Sequence, residues 1–116
     1  MIAVERYKIN QQATIDTKHM GVFVLVFEEQ GENYEHKNET EIWWKPSKDY
    51  GIQTFMIGTF QDNSFEDAVN RFLKELEETT YHHKLVQNEC ARVVEHDDPD
   101  LELYENILDY LEVVLP

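Results

Sequence analysis

The sequence predicts an α+β fold: an antiparallel meander of three or four strands, then two or three helices packed on the sheet. Three observations carry this. The 116 residues have the length of one domain, so 1–116 is read as a single α+β unit. The chain changes character near Asp62: before it the apolar residues are β-branched and aromatic in short runs, and after it they recur at helical spacing. The links between the strand-like runs are short enough to join antiparallel neighbours.

The first strand is expected over 2–9, where the alternation is mixed. The clearest is 22–27, Val22-Phe23-Val24-Leu25-Val26-Phe27, with the valines on one face and Phe23, Leu25 and Phe27 on the other. An all-apolar run of this kind suits a central strand covered on both sides. A third strand, 41–45, stops at Pro46, and a fourth, 52–60, places Ile52, Met56 and Phe60 on one face and Phe55 and Ile57 on the other. The polar segment 28–40 reads as a long hairpin loop and 46–51 as a tighter turn. The segment 10–20 receives no element, although it is a candidate cover for one face of the sheet.

Ser64 stands where an N-cap belongs, and Glu66 and Asp67 favour the positive end of the helix that follows. Phe65, Ala68, Val69, Phe72, Leu73 and Leu76 form its apolar stripe. The passage from Gly58 to Leu76 resembles the strand-to-helix step of HicB-like antitoxins over that short stretch, and no function is carried across from it. A second helix, or a bent continuation, is expected over 82–94 with His83, Val86, Cys90, Val93 and Val94 on one face, a strand being the alternative. The last helix takes Asp98 as N-cap and Pro99 in its first turn, then buries Leu101, Tyr104, Ile107, Leu108, Leu111 and Leu115.

Charge is the unusual feature. There are 24 acids against 10 Lys and Arg, a formal net charge of -14. Nucleic acid and anionic membranes repel such a chain, so its expected partner is a basic protein or other cationic surface. The excess sits in the helical half: residues 1–64 hold 10 acids and 6 bases, and residues 65–116 hold 14 and 4. Between Glu95 and Glu112 there are eight acids and no Lys or Arg. Glu102, Glu105, Asp109 and Glu112, three or four residues apart, form one row on the face away from the apolar stripe. The bland reading of this row is a solvated, solubilising face.

The N-terminal residues carry early charges and no long apolar stretch, so no signal peptide is expected and a cytoplasmic location is the default. The lone Cys90 closes no internal disulfide.

Catalytic patterns are sparse. His83, Cys90 and His96 are the weak metal candidates, since zinc takes imidazole and thiolate, but their spacing fits no familiar zinc pattern. Asp98, Asp100 and Glu102 alternate like a calcium loop, with Leu103 where the sharp turn needs Gly. A thiol on a buried stripe is inert, and no phosphate-cradling Gly-rich loop is present. No cofactor and no enzymatic activity are expected. Trp43 and Trp44 are adjacent in a strand, so they point to opposite faces. If helices cover one face only, one Trp makes an apolar patch with Val or Met neighbours, a candidate partner-binding or homodimer surface. Two function classes follow. The first is a non-enzymatic acidic protein that binds a basic partner, in its sharp form a nucleic-acid mimic or an immunity- or phage-type inhibitor. The second is a small metal- or ligand-binding protein using the His83, Cys90 and His96 region.

Overall fold

A computed structural model describes residues 2–7, 11–29, 38–48, 53–78, 81–95 and 101–115. Five strands come first: β1 (Ala3–Tyr7), β2 (Gln12–Asp16), β3 (Val22–Glu28), β4 (Glu39–Lys45) and β5 (Phe55–Gln61). Three helices follow: α1 (Phe65–Glu78), α2 (Tyr81–Glu95) and α3 (Leu101–Val114). The sheet order is β1-β2-β3-β4-β5, and each neighbouring pair is antiparallel. The α+β meander is as expected, with five strands in place of three or four. The additional strand is β2, whose Ala13 and Ile15 are buried while Gln12, Thr14 and Asp16 are only partly so. Its inward residues are too few and its outward ones too polar to signal a strand from composition.

Residues paired across an antiparallel sheet share a face. Ala13, Ile15, Phe23, Leu25, Ile42, Trp44 and Phe55 therefore point to one side, where they are all buried. The helices close over that side with Ala68, Val69, Phe72 and Leu76 of α1, Val86, Cys90 and Val93 of α2, and Tyr104, Ile107 and Leu111 of α3. Phe72 meets Phe23 edge-on at 5.0 Å, and Trp44 stacks on Phe55 at 5.9 Å and meets Tyr104 edge-on at 6.4 Å. The Trp44 Nε1–H donates to the Met20 carbonyl, so the one polar atom of this fully buried indole is satisfied.

Three expectations are corrected. The register shifts between Ile42 and Trp43, pairing Met56 with Trp43 but Phe60 with Thr40. This bulge puts Met56 and Phe60 on opposite faces, which plain alternation cannot foresee. β3 is central, but its valine side is closed only in part: Val22 is buried, whereas Val24 and Val26 stay partly exposed. In α2, a helix throughout 81–95, His82 rather than His83 shares the buried stripe with Val86, Cys90 and Val93. The expected cap at Asp98 and Pro99 lies outside the described residues.

The β2–β3 link is tied by Thr17, whose hydroxyl donates to the Gly21 carbonyl and accepts from Met20 N–H. Gly21 has φ of 84°, and a Cβ there would collide with the carbonyl oxygens of Lys45 and Pro46. α1 starts as expected, with Asp67 N–H donating to Ser64 Oγ at 3.1 Å. Ser64→Ala is expected to lower stability by about 1 kcal/mol, read as a lower denaturant midpoint. An unchanged midpoint would mean that this cap contributes nothing.

Candidate functional site

The outer face of α3 carries four acids, and the helix holds no Lys or Arg. Tyr104, Ile107 and Leu111 anchor the helix inward, which fixes the rotation of everything else on it. Glu102, Glu105, Asp109 and Glu112 are all exposed, together with Asn106. At 1.5 Å rise per residue the four carboxylates span about 15 Å, or one charge per ~5 Å. That is roughly two-thirds of the charge density along one strand of duplex DNA, at 3.4 Å per phosphate. None of the four joins an ion pair among the described residues, although the same chain pairs other acids readily, as in Arg6–Glu66 at 2.8 Å and Arg92–Glu89 at 2.8 Å.

The two tryptophans separate as expected. Trp44 is fully buried, and Trp43 lies partly exposed on the face of the sheet opposite α1, α2 and α3. There Thr14, Val24, Trp43 and Met56 sit side by side on successive strands. Met56, the second residue of β5, is 47% exposed there.

A partly buried ionic chain runs between sheet and helices, and most of it has no signal in the sequence pattern. Asp62 accepts from the Thr40 hydroxyl at 2.9 Å and from Arg71 through Nε at 2.7 Å and Nη2 at 3.0 Å. Arg71 also reaches Glu75 at 3.2 Å and lies 4.7 Å from the centre of the Phe60 ring. Glu75 Oε2 in turn lies 2.9 Å from Nε2 of the fully buried His82, which packs against Phe72 at 4.3 Å. Burial acts to raise the Asp62 carboxyl, but the Arg71 hydrogen bonds, the Thr40 hydroxyl and the Arg71 charge outweigh it and hold the group below its usual 3.8. His82 is pushed down to about 4, by burial first and then by the Arg71 charge. The neighbouring His83 acts in the same direction, so the imidazole is neutral at pH 7. Asp62, Thr40 and Arg71 are matched donor to acceptor and make a clamp holding α1 to β4 and β5, whereas the buried His82 ring nitrogens have no hydrogen-bond partner among the described residues. Only the Arg71 and Glu75 pair, four apart on one helix, was readable beforehand.

Of the three metal candidates, His83 and Cys90 lie among the described residues. Cys90 is fully buried, and burial followed by the Glu89 charge raises its thiol to about 12. His83 is partly exposed, lowered by burial and hydrogen-bonded to the Leu76 backbone. His96 lies outside the described residues. Among the described residues, no group of three His, Cys, Asp or Glu side chains is placed to hold a metal ion. Two open grooves of about 400 and 440 Å³ flank His19 and Tyr110, whose rings are 4.7 Å apart. Lys18 lines both, and Glu77, Glu78 and His83 line the first. The sequence reading did not single out His19, which sits in the β2–β3 link. Among the described residues no helix is long and apolar enough to cross a membrane. No protein-family model matches the chain, and no curated protein or solved structure matches it.

Proposed function

We propose that this protein works by binding rather than by catalysis, docking the outward carboxylate row of α3 on a basic protein partner. The carrying observation is the exposure of Glu102, Glu105, Asp109 and Glu112 in one row with no ion-pair partner among the described residues. Like charges at this spacing disfavour the helix by a few tenths of a kcal/mol per pair, so the row is held against a local cost. A cationic groove built for nucleic acid is the surface it complements best, which makes the sharp form of the reading a nucleic-acid mimic that occupies such a groove. Long-range attraction would speed the encounter, and contact between complementary charges would fix the orientation.

The test compares two variants that remove equal charge. One carries Glu105→Gln, Asp109→Gln and Glu112→Gln on α3; the other carries Asp67→Asn, Glu77→Gln and Glu78→Gln on α1, where all three are exposed. A fluorescent oligolysine peptide at low salt serves as probe. Three exposed charge pairs amount to about 1–2 kcal/mol, so the α3 variant is expected to lose about tenfold in affinity and the α1 variant less than about threefold. The α3 variant is also expected to be slightly more stable, because repulsion within the row is relieved. Equal losses would show that net charge alone attracts the probe and that the row is a solvated face.

A further inference from the structure

The face of the sheet opposite α1, α2 and α3 carries a pattern that is complementary to itself. Its middle row, Thr14-Val24-Trp43-Met56, runs across four strands. Two residues to one side along the strands lie Asp16, Val22 and Lys45; two residues to the other side lie Gln12, Val26 and Glu41. Reversing the strand direction about the middle row exchanges Val22 with Val26, Asp16 with Gln12 and Lys45 with Glu41. Glu41 and Lys45 are both partly buried, and neither has an ion-pair partner among the described residues. They are four residues apart on one strand, about 13 Å, too far to satisfy each other.

We infer that this face pairs with the same face of a second copy, about a two-fold axis lying along the Thr14-Val24-Trp43-Met56 row. In a two-fold contact residue i meets j and j meets i. Each Trp43 then packs on its counterpart and two Glu41–Lys45 pairs close on either side of the indoles, while Val22, already buried within its own chain, adds little to the contact with Val26. The two sheets stack about 10 Å apart, the aligned packing of a β-sandwich, with the helices of both copies outside. Glu5, paired with Thr14 on the β1 edge, meets its own copy at the rim, where solvent screens the repulsion. Four or five strands at ~4.8 Å and about five residues at ~3.4 Å make a face of roughly 400 Å² per copy, about 800 Å² in total, which is below the standard size and fits a weak, transient contact. With a net charge of -14 on each copy, the dimer is weak, concentration-dependent and favoured by added salt. This inference is independent of the α3 reading, because the helices lie on the opposite side of the sheet.

Sedimentation equilibrium at high micromolar concentration tests it. The parent is expected to show a mass approaching twice the 13.8 kDa chain. Trp43→Asp is expected to keep the parent's circular dichroism and sediment as a monomer. Glu41→Lys and Lys45→Glu are each expected to raise the dimer Kd by at least about tenfold, because each sets like charges face to face. The double variant Glu41→Lys with Lys45→Glu restores both pairs and is expected to return to within about threefold of the parent. A parent that stays monomeric at every concentration and salt would overturn the inference. So would folded charge variants whose double fails to recover the dimer.

Discussion

Trp44→Ala is expected to lower stability by about 3–5 kcal/mol, and Trp43→Ala, one residue away, by about 1 kcal/mol or less in dilute protein. The residues are chemically identical and share a strand, so the contrast isolates placement. Trp44 is fully buried between Phe55 and Tyr104 and donates to the Met20 carbonyl. Truncation would leave an indole-sized void bordered by sheet, α3 and the β2–β3 link, and would orphan a buried carbonyl. Trp43 lies on the face opposite the three helices and is partly exposed, so its loss opens no internal void. Urea midpoints of the two variants measure the difference. Equal losses would place β4 one residue out of register, since such a slip exchanges the faces of every side chain in the strand.

Asp62→Ala is expected to cost about 3 kcal/mol, because removing one partner of a buried ion pair strands the other. The Asp62 side chain is 5% exposed, whereas that of Arg71 is 25% exposed and keeps Glu75, which moderates the loss. The Thr40 hydroxyl, fully buried, loses its acceptor too. The pH dependence has a definite sign. The folded carboxyl titrates below 3.8, so its contribution is complete above that value and is lost only as pH falls through the folded value. The gap between parent and variant is therefore expected to be flat from neutral pH to about pH 5 and to narrow in stronger acid. His82, held near 4 against 6.5 unfolded, adds a separate loss of stability as pH falls from 6.5 towards 4. That loss is expected in parent and variant alike. Urea midpoints taken across this range check both; a gap that already closes between pH 7 and 5 would contradict the clamp.

How far the sequence revealed this arrangement follows from how local each signal is. The Ser64 cap, the α1 and α3 stripes, the opposed tryptophans and the acidic row depend on neighbours within a turn or one strand step, and each is found where the spacing put it. β2 was missed because only Ala13 and Ile15 of its five residues face the core. The Met56 and Phe60 faces were misassigned because a bulge opposite Ile42 and Trp43 adds a residue that alternation does not count. His83 was chosen over His82 because one step of helical phase separates them and the helix start was uncertain. The Thr40-Asp62-Arg71 contact joins residues brought together only by strand pairing and helix docking, so no local pattern could show it. Nor could the palindromic sheet face be read before the register of β2, β3 and β4 was known.

The claim that α3 is the binding surface is tested most directly by capture from a lysate of the source organism. The parent, the α3 triple variant and the charge-matched α1 triple variant are immobilised side by side. The predicted result is a protein with a strongly basic surface, retained by the parent and the α1 variant, released by salt, and lost from the α3 variant. Undiminished retention on the α3 variant, or retention indifferent to salt, would contradict it.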